Sequence, residues 1–125
     1  MNLFNKLKNA LTDIVPKEVE GIYLFGSYIN GYASEDSDLD VGILTKEIFN
    51  DYSELSETIE KITQIEVDLV VINKDTVENF VLLEDILNGV CLYGTEELGE
   101  YVYNLQNELM CSDWELFVRW EHYGL

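Results

Sequence analysis

Three aspartates and a glycine–serine pair are the residues of this chain best placed to do chemistry together. Gly26-Ser27 closes the apolar run Gly21-Ile-Tyr-Leu-Phe25, and ten residues separate Ser27 from Asp38 in Ser37-Asp-Leu-Asp-Val-Gly-Ile-Leu44, where Asp38 and Asp40 stand two positions apart. In an extended strand, residues i and i+2 point to the same side, so both carboxylates can aim at one point. Two anions so placed call for a cation. Without one, mutual repulsion raises the pKa of one member, whereas Mg²⁺ takes carboxylate and phosphate oxygens together. A third acid, Asp68, sits inside the β-branched run Glu66-Val-Asp-Leu-Val-Val-Ile72. That run has the shape of a buried strand, where an unpaired charge is costly unless it is paired or metal-bound.

The glycine and serine suit the other half of such a site. Gly26 lets the backbone turn sharply and come close to a phosphate, and Ser27 then opens a short helix whose free N–H groups can hold anions. Asp38 and Asp40 are expected to hold one or two Mg²⁺ ions that bridge a triphosphate and neutralise a leaving pyrophosphate. Asp68 is expected either to complete a second metal site or to take the proton from an attacking hydroxyl. A Gly-Ser followed by Asp-x-Asp also occurs by chance in loops. Here the glycine ends one apolar strand, the aspartates open another, and a third acid interrupts a further apolar run.

The elements that must position these residues follow from periodicity and punctuation. Leu3, Leu7, Ala10, Leu11 and Ile14 recur at helical spacing, and Pro16 is expected to stop that helix before a strand at about 21–25. A short helix after the Gly-Ser turn, a loop through Gly31 and Ser34-Glu-Asp-Ser37, and a second strand at about 38–44 come next. Tyr52, Leu55, Ile59 and Ile62 form a helical stripe capped near Asn50 or Asp51. After the Glu66–Ile72 strand, Asp75 and Glu78 read as a capping box opening a helix with Val77, Phe80, Val81 and Leu87, closed by Gly89. A strand at 90–93 and a long helix with Leu98, Tyr101, Val102, Leu105 and Leu109 on its apolar face complete the pattern. Ser112 and Glu115 suit the cap of a last short helix carrying Trp114, Phe117 and Val118. The alternation predicts an α/β (α+β) domain with a small mixed sheet of about four strands flanked by helices, and one domain over residues 1–125.

Composition narrows the class of partner. The chain has 125 residues, with 25 acidic and 7 basic side chains and a formal net charge of −18. Phosphate backbones are held mainly by Lys and Arg, so direct nucleic-acid binding is not expected. The acidity reads either as a solvated surface or as complementarity to a basic partner protein. No stretch approaches a membrane span and the N-terminus lacks a signal-peptide apolar core, so a soluble cytoplasmic protein is expected. Cys91 and Cys111 are expected to be buried thiols in a reducing compartment. The eight tyrosines and two tryptophans read mostly as packing, with Tyr101 and Phe117 in the core. Trp114, Trp120 and Tyr123 are divided between core and partner surface, and His122, the single histidine, reads as a surface residue.

Gly26-Ser27, the ten-residue spacing, Asp38-Leu39-Asp40 and Val67-Asp68-Leu69 together resemble the minimal nucleotidyltransferases of the DNA polymerase β superfamily, in particular MntA-type antitoxins. Ile86-Leu-Asn-Gly-Val-Cys-Leu-Tyr-Gly94 also looks like the segment by which these domains enter their last strand, so the resemblance covers most of the chain. It implies ATP and Mg²⁺, Ser27 and Gly26 on the nucleotide phosphates, and Asp38, Asp40 and Asp68 as catalytic metal ligands. It further implies transfer of AMP to a hydroxyl, a tyrosine of a HEPN-domain RNase toxin, which the chain would silence as its antitoxin in a hetero-oligomer. One departure stands out. Tyr28-Ile-Asn-Gly31 has no basic residue where relatives carry an arginine, so phosphate charge falls to the helix N-terminus and metals, with Lys46, Lys74 or a partner's arginine as further sources. Two rival classes fit part of the pattern. A catalytically idle antitoxin would grip a basic toxin by charge alone, although all three carboxylates are retained; an aminoglycoside-type nucleotidyltransferase would suit the acidity but lacks a drug-holding domain. A template-directed polymerase is disfavoured, since nothing basic remains to grip its template.

Overall fold

The computed structural model describes residues 2–47, 51–73 and 80–112, with the side chains of Phe80 and of residues 108–112 left aside. The elements are α1 (Leu3–Thr12), β1 (Val19–Phe25), α2 (Ser27–Asn30), β2 (Leu39–Thr45), α3 (Ser53–Thr63), β3 (Val67–Ile72), α4 (Phe80–Leu87), β4 (Val90–Gly94) and α5 (Leu98–Ser112). The expected capping box at Asp75 and Glu78, Val77, and the terminal helix with Trp114, Phe117, Val118, Trp120, His122 and Tyr123 lie outside the described residues.

The four strands form one mixed sheet in the order β3-β2-β1-β4. β1 pairs antiparallel with both β2 and β4, while β2 and β3 run parallel and are joined by α3. A parallel pair needs a crossover, which α3 supplies. The fold class is therefore the mixed α/β arrangement expected from sequence.

Strand alternation divides the core in two. Ile22, Leu24, Val41 and Ile43 face Leu7 and Leu11 of α1 and Leu55 and Ile59 of α3. The intervening residues Tyr23, Phe25, Leu44 and Ile72 face Leu83 and Ile86 of α4 and Leu105 of α5. Helices thus cover both sides of the sheet, and burying these side chains contributes about 1.5–3 kcal/mol each. Local signals set the helix boundaries. Asn2 caps α1 by accepting from the Asn5 amide at 2.8 Å, and Asp51 accepts from the Ser53 amide at 2.9 Å at the head of α3. α1 ends at Thr12, four residues before Pro16, where the amides of Ile14 and Val15 turn back onto the Leu11 carbonyl.

Three burial expectations need correction. β3 is an edge strand, and Asp68 on it is exposed rather than buried. Cys91 is exposed as well, because β4 is the opposite edge, and the side chain of Cys111 is not among those described. Leu3 and Val81 fall outside the cores that their periodicity suggested. Among the described residues no helix is long and apolar enough to cross a membrane.

Candidate active site

The sheet places the acids by register. Asp40 is paired with Asp68, Gly42 with Val70 and Leu44 with Ile72, across the parallel β2–β3 ladder. All three pairs point to one face, because their members are two residues apart along each strand. Leu44 and Ile72 lie under α4 and α5, and Ile86 of α4 packs over Gly42. Asp40 and Asp68 are the next pair along that face, beyond the apolar cover. Asp38 lies just ahead of β2 rather than within it, in an exposed position.

The acids bear on one another electrostatically. The Asp40 carboxyl is held above the usual carboxylate range, first by partial burial and then by the negative charges of Asp68 and Asp38. When Asp40 is protonated its O–H donates to Asp68, which raises it further. Among the described residues no three His, Cys, Asp or Glu side chains are already closed around a single point. The arrangement is an open one, with two acids side by side and a third near enough to act on them. An oxygen-only donor set of this kind suits a hard divalent cation such as Mg²⁺, and the mutual repulsion gives it a reason to bind.

The Gly26–Ser27 bend touches this group directly. Phe25 pairs with Asp40, and Gly26 follows with φ +81°, a left-handed value that favours glycine. A Cβ on Gly26 would lie 1.9 Å from Asp40 Oδ2, so only glycine lets the bend and the carboxylate share this space. The carbonyl of Gly26 accepts from the amides of Ile29 and Asn30 at 3.1 and 3.0 Å, which leaves the amides of Ser27 and Tyr28 ahead of the first helical bond. Those two N–H groups can serve a phosphate. Tyr32, 84% exposed, follows one turn later.

Lys46, named from sequence as a source of positive charge, stands elsewhere. It follows β2 at the end of the sheet away from Asp40, where its Nζ lies 3.1 Å from Glu20 and 3.2 Å from Glu97. The other described lysines are Lys6 and Lys8 on α1, Lys17 ahead of β1 and Lys61 on α3, so none is carried by α4 or α5 on the face of Asp40 and Asp68. Lys74 lies outside the described residues. Sequence reasoning also passed over the turn after α4. A Cβ on Gly89 would lie 2.0 Å from the Leu24 carbonyl oxygen and 3.0 Å from Phe25 Cβ, which brings the end of α4 against the strand end bearing the bend. In sequence Leu87-Asn-Gly-Val90 reads as a helix stop leading into the last strand, and nothing in that pattern signals the close packing of Gly89.

Known proteins resemble the chain in sequence and in fold. The family model described as polymerase beta nucleotidyltransferase matches residues 5–98. The chain is 31% identical over 99 residues to the protein adenylyltransferase MntA of Shewanella oneidensis, a match covering 77% of this chain and 68% of that protein. In fold it resembles a chain of a crystallised toxin–antitoxin pair bound to AMP-PNP, with TM-score 0.63 and 24% identity over 96% of this chain and 94% of the other. It also resembles a chain in the structure of a tri-AMPylated Shewanella oneidensis HEPN toxin with its MNT antitoxin, with TM-score 0.58 and 19% identity over 96% and 94%.

Proposed function

The chain belongs to the polymerase beta nucleotidyltransferase family and is a nucleotidyltransferase, and we propose that it transfers AMP from ATP to a tyrosine hydroxyl of a HEPN-type toxin, acting as that toxin's antitoxin. The observation that carries this reading is the Asp40–Asp68 pair, with Asp38 beside it, packed against the Gly26–Ser27 bend. The similarity to the adenylyltransferase MntA supports the choice of nucleotide and of a protein acceptor.

Asp38, Asp40 and Asp68 are the residues that would hold Mg²⁺, and such an ion would offset the charge of the triphosphate and of departing pyrophosphate. The amides of Ser27 and Tyr28 take phosphate oxygens at a point where Gly26 permits close approach. The acceptor oxygen attacks the α-phosphorus, its bond to the bridging oxygen of the β-phosphate breaks, and AMP remains on the acceptor. Asp68, the exposed member of the pair, would take the hydroxyl proton where its carboxylate is not engaged by the ion. A phosphodiester left on a toxin's tyrosine adds bulk and negative charge, which disfavours an RNA substrate. The acidic surface, at −18 overall, suits a basic partner in a hetero-oligomer. The chemistry calls for a cytoplasmic setting, where ATP and Mg²⁺ are both at hand.

Incubation with the toxin, ATP and Mg²⁺ should add the mass of AMP to the toxin, and EDTA should stop it. The double substitution Asp38→Ala with Asp40→Ala should lower transfer by roughly 10³-fold or more, since metal-borne charge stabilisation is worth several kcal/mol. Toxin bound and silenced with no gain in mass would overturn the reading in favour of an inert antitoxin.

A further inference from the structure

We propose that Asn88, at the end of α4, reads the base of the nucleotide and sets the preference for adenine; the inference rests on the nucleotidyltransferase reading above and extends it to the base. β4 runs antiparallel to β1 with Val90 opposite Leu24, so the turn between α4 and β4 lies at the strand end that carries the Gly26–Ser27 bend. Gly89 is pressed so closely onto Leu24 and Phe25 that no side chain fits there. Phe25 is in turn the register partner of Asp40, whose carboxylate touches Gly26. Asn88 therefore adjoins Gly89, which packs on Phe25, the strand neighbour of Asp40. It also stands on the α4 side of the sheet, the side to which Asp40 and Asp68 belong.

The chemistry of this turn differs from that of the bend. At Gly26–Ser27 the chain presents N–H donors, which suit phosphate. At the close of α4 it presents helix carbonyls and the negative end of the helix dipole, which repel phosphate and accept from N–H donors. The Asn88 amide to Glu84 carbonyl bond, at 2.9 Å, and the Gly89 amide to Ile86 carbonyl bond, at 3.0 Å, hold the turn rigid. Asn88 is exposed. A primary amide offers one acceptor and two donors, the complement of adenine's N6 amino group and N7. Guanine presents two acceptors, O6 and N7, on the same edge and cannot satisfy the amide carbonyl. In this proposal the base of a nucleotide whose phosphates lie at the bend and the acids sits on the α4-lined side of the same face.

Titration calorimetry with ATP and GTP in the presence of Mg²⁺ tests this without any protein acceptor, and toxin labelling repeats it in turnover. Wild type should favour ATP. Asn88→Ala should weaken ATP binding about tenfold and bring the ATP-to-GTP ratio close to one, with kcat for AMP transfer within about twofold, as expected for loss of a base contact made equally in ground and transition states. Asn88→Gln should recover part of the preference. A wild type indifferent to the base, or an Asn88→Ala protein that keeps the wild-type ratio, would overturn the inference. Selective nucleotide binding without labelling of any toxin would leave Asn88 in its role and instead sink the proposed acceptor.

Discussion

The two ends of the sheet both carry charged groups and treat them in opposite ways. At the far end, Glu20 is 2% exposed, yet its carboxylate accepts from the Thr95 hydroxyl and pairs with Lys46 at 3.1 Å. Thr45 and Tyr52 there are bonded to the carbonyls of Glu18 and Glu47, and the Tyr101 hydroxyl donates to the Thr45 carbonyl. At the near end, Asp40 has for neighbours Asp68 and Asp38, charges of its own sign. Among the described residues no buried side-chain polar atom lacks a partner. Compensated polarity fixes α5 and the strand ends in place. Crowded like charge is a standing cost to the fold, and such costs persist where a ligand is to be held.

That contrast can be broken most directly at Gly26. Gly26→Ala forces a Cβ into Asp40 at a backbone angle that disfavours it, and displacement by about 1 Å at a reacting centre costs on the order of 10²-fold. AMP transfer should fall by about that factor; near-normal turnover would separate the bend from the acids. The far end should behave in the reverse manner. Glu20→Ala leaves Lys46 with Glu97 alone and Thr95 without its acceptor, and should lower stability by about 1–3 kcal/mol in urea unfolding with transfer per folded molecule unchanged. A selective loss of turnover would make the far end part of the catalytic machinery.

Tyr101→Phe should cost about 1 kcal/mol, the net worth of one buried hydrogen bond. Burial, followed by the charge of Glu20, holds the Tyr101 phenol well above its ordinary value, so it remains a donor across the working pH range. The smallest effect is expected to have the opposite sign. Because the folded-state pKa of Asp40 is raised, its contribution to stability is present below the ordinary carboxylate value and is lost as pH rises through the raised one. Asp40→Asn removes the repelled charge, and without metal at neutral pH it should raise stability by up to about 1 kcal/mol while ending activity. An unchanged or lowered melting temperature would show that the three acids do not strain the metal-free fold.

Much of this was legible in the chain. β1, β2, β3 and β4 fall within two residues of the positions expected from their apolar runs, because a strand's pattern is local and its ends are marked by Gly26, Gly89 and Gly94. Asp38, Asp40 and Asp68 could be singled out because acids are rare in such runs. Burial is not what sets Asp68 apart. Val67–Ile72 is apolar enough for a central strand, and it lies at the edge, so Asp68 meets solvent. Cys91 departs from expectation for the same reason on the opposite edge, and Lys46, six residues beyond Asp40 and just past the end of β2, is carried to the far end of the sheet.

The order of helices and strands, the glycine bend and the identity of the acids are properties of neighbouring residues, so the sequence by itself determined them. Which strand sits beside which, and therefore that Asp68 stands opposite Asp40 while Lys46 is drawn to Glu20, was decided only in the tertiary structure. Pairing of distant strands depends on how two apolar faces are shared among four helices, a sum over long-range contacts that no local pattern encodes.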